Sequence, residues 1–135
     1  MYEKIENFIR RNDLDEAFFE CEKALQLYPT NGKLHAYKGM CHWQKNEYEK
    51  AEKEFLAAYS LDPTLGHTAT KRAQCLEKLR RYREAMDVVK EWLPICPNDY
   101  LLQGLYEFLQ FQYSAEEHDA WEKTRRIELK IEKAR

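Results

Sequence analysis

The sequence predicts an all-α protein, three stacked helix hairpins followed by a helical C-terminal cap. Three observations carry this reading. Residues recur at a fixed period of 34, apolar side chains within each unit fall at three- and four-residue steps, and turn formers are scarce. Pro29, Pro63 and Pro97 keep the period, as do Ala17, Ala51 and Ala85. So do Leu14, Tyr48 and Tyr82, then Leu27, Leu61 and Ile95, then Cys21, Phe55 and Val89, and finally Ala24, Ala58 and Trp92. With four Gly and four Pro in 135 residues, the chain lacks the punctuation that a run of short strands needs.

A single domain over 1–135 divides into units at 1–31, 32–65 and 66–99 and a cap at 100–135. The first unit starts partway into its first helix, as a clipped repeat or a fragment would. Its second helix carries the stripe Leu14, Ala17, Phe18, Cys21, Ala24, Leu25 and Tyr28, with Asp13 placed to cap it and Glu16 near the free amides. In the second unit the stripe is Tyr48, Ala51, Phe55, Ala58 and Tyr59, with Asn46 and Glu49 as the expected capping pair. The third unit keeps Ala73, Tyr82 and Ala85 and carries Trp92 where the other units have alanine. Each unit stops at its proline, which lacks an amide hydrogen and clashes with the preceding turn. The alanines, with Gly39 and Ala73, are expected where two helices approach most closely.

Beyond residue 99 the small residues disappear. Tyr100–Gln112 reads as one helix, and the capping box of Ser114 and Glu117 is expected to start another. That last helix places Ala120, Thr124, Ile127, Ile131 and Ala134 at alternating four- and three-residue steps, with Trp121 alongside. A terminal cap with a polar outer face is what a stack of repeats requires.

Composition narrows the function. Charged residues make up 34% and the net charge is only -2, so no overall field draws in nucleic acid or anionic lipid. Lys71, Arg72, Lys78, Arg80, Arg81 and Arg83 make the third unit locally basic, but Glu77 and Glu84 interrupt them and the aromatics other than Tyr82 lie elsewhere, so base stacking is not indicated. No apolar run approaches the ~20 residues that span a bilayer, and Met1–Arg10 is charged throughout, unlike a signal peptide. Cys21, Cys41, Cys75 and Cys96 form no CxxC pair, so no zinc site is expected. Cys41 and Cys75 are equivalent repeat positions and should be buried free thiols. His35, His42, His67 and His118 show no HExxH spacing, and Cys41–His42 are helical neighbours that point about 100° apart. These features indicate a non-enzyme without metal or cofactor, in a reducing cytoplasmic setting, with no nucleic-acid or membrane partner.

Residues 32–65, with Gly39, Tyr48, Ala51, Phe55, Ala58, Leu61 and Pro63 in place, resemble the tetratricopeptide repeat. His35 and Lys38 depart from it, standing where an aromatic and a leucine are usual. The resemblance implies a right-handed solenoid whose concave face is lined by the first helix of each unit. The partner is then a protein or peptide, bound as an extended segment or a helix, in an adaptor, scaffold or co-chaperone role. Carried over, the lining positions begin at Tyr2 and Glu6, take in Ala36, His67 and Thr70, and end on Leu101, Gly104, Phe108 and Phe111. Those expected to hold the partner are Ile9 and Arg10, then Lys33, Met40, Trp43 and Gln44, then Gln74, Glu77 and Lys78. Ile9, Met40 and Trp43 should form an apolar strip, with Trp43 an exposed anchor whose removal spares stability, while Phe108 and Phe111 serve the cap. Members that act as co-chaperones clamp a chaperone's terminal carboxylate with two Lys, two Asn and an Arg. Here those places fall on Tyr2, Glu6, Tyr37, His67 and Lys71, of which only Lys71 is a basic side chain of that set, so the clamp is disfavoured. Weak self-association, through the last helix or the open first unit, stays open as the alternative.

Overall fold

The computed structural model describes all 135 residues as seven helices with no strand. They are α1 (Tyr2–Arg10), α2 (Leu14–Leu27), α3 (Gly32–Gln44), α4 (Tyr48–Leu61), α5 (His67–Lys78), α6 (Tyr82–Trp92) and α7 (Tyr100–Ala134). Each helix packs on the next, and α1 also touches α3 as α5 touches α7. The solenoid implied by the resemblance is present as three hairpins, α1–α2, α3–α4 and α5–α6, with α7 laid against the last.

The three hairpin turns are built alike. Asn12, Asn46 and Arg80, again 34 apart, are the residues with left-handed backbone, at φ 63, 61 and 60. The next amide in each case reaches back to the carbonyl five residues earlier: Asp13 to Phe8 at 2.8 Å, Glu47 to His42 at 2.9 Å and Arg81 to Leu76 at 2.9 Å. This is the Schellman closure, which satisfies carbonyls that the helix end leaves free. Asparagine tolerates the left-handed region because its short polar side chain bonds locally. Asn46 is therefore a turn residue and not the cap expected from the sequence; Glu47 occupies the cap position of α4. Asp13 does sit at the cap of α2, but its side chain makes no capping bond. The side chains that do cap are Asn31 and Asp99, accepting from the amides of Leu34 and Leu102 at 3.2 Å each.

Close approach explains the small residues. Ala17, Ala51 and Ala85 have no exposed surface. A Cβ on Gly39 would lie 2.8 Å from the Phe55 ring, so glycine there lets the ring lie flat on α3. Phe55 is buried with Ala51 and with Cys75 of the next hairpin, and burying a side chain of that size contributes about 1.5–3 kcal/mol. Trp92 fits at an alanine position because Gly66 has no Cβ, which would lie 3.1 Å from its ring, and Tyr59 meets it edge-on at 5.3 Å. The departures at His35 and Lys38 form a polar tie between hairpins. His35 Nδ1 lies 2.8 Å from Glu54, and Lys38 bridges Glu22 at 2.6 Å and Glu54 at 3.3 Å. Burial works against the Lys38 charge, but the two carboxylates outweigh it and raise its pKa.

Cys21, Cys41 and Cys75 are buried free thiols. Burial and the nearby Glu52 carboxylate push Cys75 up to about 12, while a hydrogen bond donated to Cys41, with burial, pushes the Cys21 thiol up. No helix is long and apolar enough to cross a membrane.

The expected break at Ser114 does not occur: α7 runs unbroken for 35 residues. Extending the period by 34 shows why. Glu116, Asp119, Lys123 and Arg126 fall on the four columns that hold Leu14, Ala17, Cys21 and Ala24 in the first unit. A chain folding back here would bury those charges, and Ser114 would have to take the left-handed position. The helix instead continues into solvent, where Glu122 pairs with His118 at 3.3 Å and with Arg126 at 3.9 Å.

Candidate functional site

The first helices of successive hairpins, α3 and α5, share one face with the start of α7, and two hollows lie along it. The first, about 270 Å³, lies between α3 and α5. Ala36, Met40 and Phe55 supply its apolar surface, and Lys33, His67 and Lys71 supply its polar edge. The ammonium groups rest on aromatic rings: Lys33 Nζ is 4.3 Å from the Tyr2 ring centroid, and Lys71 Nζ is 5.1 Å from that of Trp43. A cation held over a ring keeps its charge available to a further anion, because the ring neutralises none of it.

The second hollow, about 480 Å³, is walled by Trp43 of α3, Gln74 and Lys78 of α5, and Leu101, Leu105 and Phe108 of α7. Glu77 completes its α5 side, and Gly104 lies between the α7 side chains. Gln74 Oε1 is buried there without a hydrogen-bond partner. Tyr100 at 85% exposure and Phe108 at 41% leave much apolar surface uncovered along this rim.

Six of the nine residues expected to hold the partner come together in this way: Lys33 and Met40 in the first hollow, Trp43, Gln74, Glu77 and Lys78 in the second. Ile9 does not join them. It packs on the core of the first hairpin, around Ile5 and Cys21, so the apolar strip of Ile9, Met40 and Trp43 is not formed. Arg10 and Gln44 end their helices exposed and line neither hollow. Trp43 is half-buried rather than an exposed anchor: it packs on Ala51, Phe55 and Cys75 and meets Tyr48 edge-on at 5.2 Å. Its removal therefore costs stability as well as surface. Phe108 faces the second hollow while meeting Tyr82 edge-on at 6.5 Å, so it serves both groove and cap.

Three of the five clamp positions are occupied with each other. Tyr37 donates to Glu6, and Tyr2 accepts from Asn31 at 2.8 Å while lying 5.9 Å from the Tyr37 ring. Burial, then the bond to Glu6, raises the Tyr37 pKa well above the usual phenol range, so it stays a neutral donor. Lys33, absent from that set of five, takes up a place beside His67 and Lys71. The basic third hairpin is dispersed: Arg72 binds Glu52 at 2.9 Å and Arg81 binds Glu84. A larger hollow, about 780 Å³, lies between α6 and the middle of α7, with Arg83, Lys90, Tyr106 and Phe111 around it.

Known proteins match this architecture. The "DnaJ homolog subfamily C member 7 homolog" of Dictyostelium discoideum is 27% identical over 116 residues, covering 82% of this chain and 21% of the relative. The chain thus spans about a fifth of the length of the curated relative it matches. The first repeat domain of Spaghetti (RPAP3), bound to the HSP90 peptide SRMEEVD, superposes with a TM-score of 0.78 at 18% identity, over 83% of this chain and 89% of that one. Yeast Tom70 superposes with a TM-score of 0.80 at 19% identity, over 89% of this chain and 25% of that one. These likenesses establish the fold, and the tetratricopeptide repeat model matches residues 8–64, the stretch that holds the first two left-handed turns, the buried Ala17 and Ala51, and Gly39. The chain shares the all-α repeat fold of these solved proteins, and its residues 8–64 match the tetratricopeptide repeat.

Proposed function

We propose that this chain is a protein-interaction module that holds an extended acidic segment of a partner protein along the face of α3, α5 and α7. One observation carries the reading. Lys33 and Lys71 border an apolar hollow with their ammonium groups on rings instead of carboxylates. Two such cations, with His67 beside them, suit a carboxylate-bearing segment whose aliphatic parts cover Ala36 and Met40. The SRMEEVD peptide bound by the Spaghetti (RPAP3) domain is a segment of this kind. An adaptor or scaffold role beside a chaperone fits both that likeness and the match to a DnaJ homolog. The five-residue clamp is not the means, since Tyr2, Glu6 and Tyr37 are engaged with one another and with Asn31.

The test is titration of a panel of short acidic peptides, SRMEEVD among them, at two salt concentrations. Wild-type affinity is expected to fall with salt. Lys33→Glu with Lys71→Glu is expected to lose at least about tenfold, or ~1.4 kcal/mol, with an unchanged melting temperature. Equal binding by the double variant would rule out this surface. Self-association through α7 is the second reading, supported by Trp121 and Ile127 standing 62% and 59% exposed. Sedimentation over a concentration series tests it, with a constant monomer mass as the contrary result.

A further inference from the structure

From the second hollow we infer a dedicated subsite for one bulky apolar side chain of the bound segment, three residues away from an acidic one. This rests on the groove reading above and specifies the sequence that the groove selects. Gly104 is the first observation. The other three glycines have packing reasons: a Cβ would lie 2.8 Å from the Ala58 carbonyl at Gly32, 2.8 Å from Phe55 at Gly39 and 3.1 Å from Trp92 at Gly66. At Gly104 a Cβ would meet nothing within 4 Å. Glycine in a helix interior is unfavourable relative to alanine, and here the fold gains no close contact in return. What its missing side chain does is leave space open between Leu101, Leu105 and Phe108.

Gln74 is the second observation. It lines the same hollow, and its Oε1 is a buried acceptor without a donor. Such a group is costly until something pairs with it, and a turn of the amide toward the hollow would present it to the main-chain N–H of an extended peptide. The third observation is spacing. On α5 the first hollow is marked by Lys71 and the second by Lys78, seven residues on, which is about 10 Å at 1.5 Å per residue. An extended chain covers that distance in about three residues at ~3.3 Å each. An acidic side chain between Lys33 and Lys71 thus sets an apolar side chain three positions away over Gly104, with a peptide N–H toward Gln74.

The experiment uses the full chain and synthetic peptides in which one Leu is placed from one to six positions from an acidic pair. Affinity is expected to peak at a spacing of three. Gly104→Leu, whose Cβ meets nothing within 4 Å and whose branch would occupy the hollow, is expected to lower that peak at least about tenfold, to the level of a Leu-free acidic peptide. Gly104→Ala is expected to melt higher than wild type and to keep the peak, which separates occupancy of the hollow from any change in the helix. Gln74→Met, which keeps volume and removes the acceptor, is expected to weaken the same peptide while leaving the acidic control unchanged. A flat dependence on spacing, or Gly104→Leu binding as wild type does, would overturn the subsite and leave the basic hollow standing. Failure of every peptide, acidic controls included, to bind wild type would overturn the groove reading and this inference with it.

Discussion

The α3–α4–α5 segment and the distal half of α7 carry the same three- and four-residue apolar spacing and have opposite fates. In the first, Ala51, Phe55 and Cys75 are buried against one another. In the second, Ala120, Ile127, Ile131 and Ala134 are all exposed, and beyond Tyr113 only Glu122 is less than exposed. The difference lies in what the stripe can meet. Between hairpins, an alanine or glycine on one helix opposes a large side chain on the next, so backbones come close enough to exclude water. Along distal α7 no helix of the chain presents such a complement, and the columns that would build one hold Glu116, Asp119, Lys123 and Arg126. Amphipathic spacing states that a face could be buried; opposed small and large residues decide that it is.

That contrast can be broken at its packed end. Ala51→Leu would push a branched side chain into the space between α3 and α4 and is expected to destabilise the chain by ~1–3 kcal/mol through overpacking. Thermal or urea unfolding checks this, and an unchanged midpoint would mean that the alanine column is not a contact. A smaller effect is expected of opposite sign at the third turn. Arg80 holds the left-handed position that Asn12 and Asn46 hold in the other units. Arg80→Asn should stabilise by roughly 1 kcal/mol, since an L-residue with an ordinary side chain is strained there. The smallest effect belongs to distal α7: Ile127→Ala should change stability by less than about 0.5 kcal/mol, as exposed substitutions do.

The hairpins were legible because their period is enforced by packing, and every column of small residues had a steric reason. The turns were less so. An asparagine just before a helix reads as a cap, yet Asn46 serves the turn by accepting a left-handed backbone, and the third unit does the same with Arg80. The continuity of α7 was hidden by Ser114 and Glu117, which spell a helix start but sit on the exposed surface of a helix already under way. The binding face was legible along α3 and α5 because those helices keep the repeat. It failed for Ile9, which the first hairpin takes into its own core, and for Trp43, whose burial depends on Tyr48 and Lys71. On α7, Leu101, Gly104 and Phe108 were legible as lining positions, but no repeat column shows that Gly104 leaves a hollow between them.

The central claim is that partner binding belongs to the packed, repeat-built face and not to the exposed helix beyond it. Amide chemical-shift mapping during titration with an acidic peptide tests this most directly. Shifts should concentrate on Lys33, Met40, Trp43, Lys71 and Gln74 and continue along α7 as far as Phe108, with residues beyond Ser114 unmoved. Shifts confined to distal α7, or to Arg83, Lys90 and Phe111 around the hollow on α6, would contradict it.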